Sequence, residues 1–65
     1  MTDKEQLEIF ISHHKKIEPD WEHGEIREYE KIPGDEETFF DVTYEDFSTF
    51  RYAEIDGKIM MKQMR

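Results

Sequence analysis

The stretch Phe50-Arg-Tyr-Ala-Glu-Ile-Asp-Gly-Lys-Ile-Met-Met-Lys-Gln-Met64 decides the fold. Two runs of aromatic, branched and long apolar residues flank Asp56-Gly57, a dipeptide suited to a two-residue hairpin turn because both positions tolerate positive φ. The pairing such a loop imposes sets Tyr52 opposite Met61 and Ala53 opposite Met60. A further run, Phe39 to Tyr44, has the same character, so the C-terminal half reads as an antiparallel β-meander. Two readings stay open for the link at Glu45-Asp46. It is either a turn or a short helix starting near Thr43, with Asp46 as capping partner and Phe47 and Phe50 inward.

Upstream, Leu7, Phe10, Ile11, His14 and Ile17 recur at spacings of three and four, which predicts an amphipathic helix from about Asp3 to Ile17. Thr2 and Glu5 have capping-box spacing, and Lys15 and Lys16 suit the negative end of the helix dipole. Pro19 ends the helix, because the residue before a proline avoids helical angles. Ile9 falls off the stripe and is expected to be exposed. From Pro19 to Ile32 the pattern fits a charged edge strand over Glu25 to Ile32 or a short helix broken at Gly24. The strand is favoured, because Pro33-Gly34 supplies a turn and charges on an edge discourage pairing with other chains.

The fold class is therefore α+β, one N-terminal helix packed on a 3-4 stranded antiparallel β-meander, in a single domain over residues 1–65. Strand alternation sorts Phe39, Phe50, Tyr52, Ile59 and Met61 onto one face, with Phe40, Val42, Tyr44, Phe47, Ala53, Ile55, Met60 and Met64 on the other. One helix cannot cover both faces. A second layer is expected, and a copy of the same chain is its simplest source, so a homodimer is expected.

Composition limits the alternatives. The chain has 65 residues, a net charge of −8 and 40% charged residues, a balance that in many chains leaves them disordered. Its nine aromatic residues supply the apolar area that argues for folding. There is no cysteine, hence no disulfide and no thiolate, and a small domain without staples needs a metal, very good packing or a partner subunit. No apolar run is long enough to span a membrane, and a cytoplasmic location is expected. Residues 18–56 hold fourteen acids against Arg27, Lys31 and Arg51, whereas residues 57–65 hold three bases and no acid. The field of that middle segment repels nucleic acid and anionic membrane and attracts basic surfaces.

No constellation for catalysis stands out. His13 and His14 sit in the helix with His23 a short distance on, which raises a metal site of imidazoles and carboxylates. Adjacent histidines, however, point about 100° apart on a helix, whereas a helical chelate needs spacing of three or four. His14 lies in the apolar stripe and reads as a packed histidine, so no metal or other cofactor is expected. The acidic runs lack the spacing of a calcium loop, the glycines are isolated, and the hydroxyl residues stand in no triad context, so no catalytic residues are assigned. Arg51, Tyr52, Lys58, Lys62 and Arg65 mix basic and aromatic groups. The net charge nevertheless opposes direct nucleic-acid binding.

What remains is recognition of another protein. Carboxylates on adjacent strands lie ~4.8 Å apart and alternate residues ~6.8 Å apart, spacings close to those of DNA phosphates, so mimicry of DNA is geometrically open. As a type, a tiny cysteine-free acidic domain resembles the small regulators and inhibitors that phages and mobile elements encode against host machinery. The expected function is a regulator or inhibitor that blocks a larger, basic-surfaced host protein, such as a nucleic-acid-handling enzyme or a defence ATPase or nuclease. Glu28, Glu30, Glu36, Glu37, Asp41, Glu45 and Asp46 are the expected contacts, with Phe40, Tyr44 and Phe47 as apolar anchors. The alternative is an accessory subunit of a larger complex, and a metal-dependent enzyme ranks below both.

Overall fold

The computed structural model describes residues 1–65. Helix α1 (Asp3–Ile17) is followed by strands β1 (Ile26–Pro33), β2 (Thr38–Tyr44), β3 (Thr49–Ile55) and β4 (Lys58–Gln63), and the sheet order is β1-β2-β3-β4. All three strand pairings are antiparallel. This is the α+β architecture expected, with the ambiguous segment forming the fourth, edge strand.

The helix begins as its sequence dictates. The Glu5 backbone N–H donates to the Thr2 hydroxyl while the Glu5 carboxylate accepts from the Thr2 N–H, both at 3.2 Å, which satisfies two otherwise free donors. Leu7, Phe10 and His14 form the buried stripe, and Ile9 points outward as expected. Ile17, at the far end of the stripe, is 60% exposed instead.

The core consists of Leu7 and Phe10 from α1 with Phe40, Val42, Tyr44, Phe50 and Tyr52 from the two central strands. Phe10 stacks on Tyr52 with centroids 5.5 Å apart and meets Phe40 tilted at 5.7 Å. Burying each such ring stabilises the fold by roughly 1.5–3 kcal/mol.

Two of the three hairpins differ in their turns. At Asp56-Gly57 both residues have positive φ (52° and 77°), and Tyr52 pairs with Met61 and Ala53 with Met60, as expected. The β2–β3 link is a turn and not a helix, with Phe47 N–H donating to Tyr44 O at 2.9 Å and Tyr44 N–H to Ser48 O at 3.0 Å. Its loop, Glu45-Asp46-Phe47, has an odd number of residues and carries Phe47 at φ 67° in the left-handed position of a bulge.

That odd loop corrects the expected faces. Phe40 pairs with Tyr52 and Val42 with Phe50, so Phe40, Val42 and Tyr44 share the helix-covered face with Phe50 and Tyr52. A shift of one residue moves a whole strand's side chains to the other side of the sheet. One helix therefore covers the larger apolar layer.

The outer face is arranged in rows of cross-strand neighbours. Glu30, Asp41, Arg51 and Lys62 form one, with acids on β1 and β2 and bases on β3 and β4. Beside it lie Ile32 paired with Phe39 and Ala53 paired with Met60, which the β2–β3 register brings into a second, apolar row. Gly34 opens the β1–β2 turn, where a Cβ would stand 2.4 Å from the Glu37 carbonyl oxygen.

Candidate functional site

Two regions carry chemistry. The first lies where the last turn of α1 meets the connector 18–25 and the β2–β3 hairpin. His14 occupies that last turn, and Glu18 caps the helix, its N–H donating to His14 O at 2.9 Å. The spacing of four places both side chains on one helical face. The connector then folds back: Trp21 Nε1 donates to Gly24 O at 2.9 Å, and its ring packs edge-on against His14, His23 and Tyr44. Gly24 has φ 79°, and a Cβ there would meet Glu45 at 3.1 Å, so glycine permits this return.

The return brings His23 to Glu18. Nε2 of His23 lies 2.9 Å and Nε2 of His14 3.2 Å from the same carboxylate oxygen, Glu18 Oε2. The remaining ring nitrogens are also engaged. His14 Nδ1 is 2.7 Å from the Tyr52 hydroxyl, which is hydrogen-bonded to the Tyr44 hydroxyl, and His23 Nδ1 is 2.6 Å from Asp46 Oδ2. Ser48 completes the cluster, donating through its backbone N–H and hydroxyl to Asp46.

The electrostatics follow from these contacts. Burial lowers the His14 pKa below 6.5 and outweighs the attraction of Glu18, so the ring is neutral at pH 7. Burial also pulls His23 downward, but hydrogen bonds to Asp46 and Glu18 overcome it and raise the net value above 6.5. The Ser48 hydrogen bond, with help from His23, lowers the Asp46 carboxyl to about 2. Burial raises both Tyr44 and Tyr52, leaving them as neutral hydroxyls.

The second region is the acidic edge. Glu28 and Glu30 project from β1 on the outer face, and Glu36 and Glu37 lie in the β1–β2 turn; none of the four forms an ion pair or side-chain hydrogen bond. The other three acids expected as contacts have partners within the chain. Asp41 accepts two hydrogen bonds from Arg51 at 2.7 and 3.0 Å, Glu45 accepts from the Glu25 N–H, and Asp46 belongs to the histidine cluster. Of the expected anchors, Phe40 and Tyr44 are core residues, 4% and 1% exposed, because the odd loop turns them toward the helix. Phe47 is 64% exposed at the hairpin tip, where the Arg27 guanidinium lies 4.7 Å above its ring.

The seven acids and Phe47 thus do not form one patch; the turns at 34–37 and 45–47 lie at opposite ends of β1 and β2. The gathering of His14, Glu18 and His23 goes beyond what adjacency of His13 and His14 suggests. The local signal for it is the histidine–glutamate spacing of four. His23 is brought in only by the fold. No helix is long and apolar enough to cross a membrane.

Against protein-family models, curated proteins and solved structures, the chain gives no match in any of the three.

Proposed function

We propose that the chain is a small binding protein that docks on, and blocks, a larger protein with a basic surface, of the kind that handles nucleic acid or hydrolyses nucleotides. The supporting observation is edge strand β1 and the hairpin tip beside it: Glu28 and Glu30 are unpaired on the outer face, Tyr29 exposes its ring on the opposite face, and Phe47 exposes its ring at the tip against Arg27. Charge left uncompensated on the surface speeds encounter with a basic target, and exposed aromatics supply the short-range contact. Glu28 and Glu30 alternate on one face at the ~6.8 Å spacing of a strand, which supports recognition by a site that otherwise takes phosphates.

The test is capture from the native cell with tagged chain, followed by affinity measurements on the captured protein. Loss of the partner's activity and an affinity falling at least tenfold from about 50 to 500 mM salt are expected. Affinity indifferent to salt and to Glu28→Lys with Glu30→Lys ends the proposal, and stoichiometric recovery within one permanent assembly replaces it with an accessory subunit.

A homodimer is a second reading, favoured by the row Glu30, Asp41, Arg51, Lys62. A two-fold axis parallel to the strands sets β1 over β4 of the second copy and β2 over its β3. Every acid of the row then faces a base, and the apolar row faces its own copy. In sedimentation, Lys62→Glu is expected to weaken such a dimer and Glu30→Lys added to it to restore it. Because Lys62→Glu adds negative charge, it leaves capture of a basic partner intact, which separates the two readings.

A further inference from the structure

We propose that His14, Glu18 and His23 form a binding site for one divalent transition-metal ion of the zinc class. The donor atoms His14 Nε2, Glu18 Oε2 and His23 Nε2 all lie within 4.8 Å of one another. In a tetrahedral zinc site with bonds near 2.0–2.1 Å, neighbouring donors stand about 3.3 Å apart. The separations from Glu18 Oε2, 3.2 and 2.9 Å, need to open by only a few tenths of an ångström, while the two Nε2 atoms, within 4.8 Å of each other, settle at that same spacing on binding.

The far side of each imidazole is built for the same purpose. His23 Nδ1 faces Asp46, whose carboxylate is held by two Ser48 donors and can only accept, so Nδ1 carries the proton. The Nε2 of a neutral His23 then presents a lone pair to Glu18 Oε2 at 2.9 Å, and two acceptors face each other unless a cation lies between them. A proton joins one such pair. A metal ion takes all three donors at once. The carboxylate behind His23 and the tyrosine hydroxyl behind His14 are the partners that orient metal-bound imidazoles and set which nitrogen is free.

The ligand set selects the ion. Two imidazole nitrogens and one carboxylate suit zinc, and related ions such as cobalt, better than magnesium or calcium, which prefer oxygen alone. Three protein ligands leave a fourth position, and here it opens onto a cavity of about 310 Å³ lined in part by Phe50, Met61 and Gln63. The ion would tie the end of α1 to the connector and, through Asp46, to the β2–β3 hairpin, serving as the staple that a cysteine-free chain of 65 residues otherwise lacks.

The experiment uses the full chain, stripped with chelator and then titrated with Zn²⁺ or Co²⁺. One ion per chain is expected, together with a melting midpoint raised by about 10–20 °C at a hundredfold excess over Kd. The cobalt complex is expected to show the visible absorption of four-coordinate geometry. Glu18→Gln, at a half-exposed position that keeps the fold, and His23→Gln should each weaken binding at least tenfold, while His13→Gln leaves it unchanged. Absence of a melting shift at about 1 mM Zn²⁺ overturns the site, as does binding unaffected by Glu18→Gln in a variant whose circular dichroism is native. This inference is independent of the partner, since the metal titration requires none.

Discussion

The two faces of one sheet do different work, although they alternate residue by residue along the same strands. The inner face holds Phe40, Val42, Tyr44, Phe50 and Tyr52 under the helix. On the outer face the same strands present Asp41 and Arg51 in a two-bond ion pair at 2.7 and 3.0 Å, next to Glu30 and Lys62. Burial therefore concentrates stability on the inner side, while the outer side sets this charged row beside the smaller apolar row of Ile32, Phe39, Ala53 and Met60. Exposed ion pairs contribute only about 0–1 kcal/mol, so the outer face is open to change in a way the inner face is not.

Substitutions should separate the faces sharply. Phe10→Ala removes the ring stacked on Tyr52 and is expected to cost about 3–5 kcal/mol, most of what a domain of this size has, so urea denaturation should find it largely unfolded. Tyr52→Phe keeps the ring but deletes the hydroxyl shared by His14 and Tyr44. A loss of about 1–3 kcal/mol is expected, and a neutral result would mean that those polar groups find other partners.

At the border between the faces, Phe47 carries a left-handed backbone that bulky residues avoid. Phe47→Asn is expected to raise stability by about 0.5–1 kcal/mol while weakening binding to a captured partner. A stability loss would show that the Arg27 contact outweighs the backbone strain. Smallest of all, Glu28→Gln with Glu30→Gln should move stability by no more than about 0.5 kcal/mol yet lower partner affinity and flatten its salt dependence. A large stability change there would erase the contrast between the faces.

The hairpins show why part of the fold was legible in advance and part was not. Asp56-Gly57 announces its own geometry, so the pairing of Tyr52 with Met61 follows from two residues. Glu45-Asp46-Phe47 contains neither glycine nor asparagine to mark the left-handed position, and its odd length was invisible. That single residue reversed the facing of β2 and moved Phe40 and Tyr44 from expected surface anchors into the core. The histidine cluster had the same difficulty. Its local half, His14 and Glu18, is written in helical spacing, but His23, Asp46 and Ser48 arrive from elsewhere in the chain.

Local patterns of apolar residues, caps and turn residues by themselves determined the helix, strands β2 to β4, the β3–β4 register and the acidic character of the middle segment, and left Glu25 to Ile32 open between strand and helix. Backbone propensity and side-chain periodicity act over a few neighbours, and the sequence displays neighbours directly. Only the tertiary structure decided which face β2 presents and which polar groups meet at Glu18, because those depend on loop parity and on contacts between distant parts of the chain, such as His14 with Tyr52, 38 residues apart. Such contacts exist only once burial of the aromatic layer has drawn distant segments together.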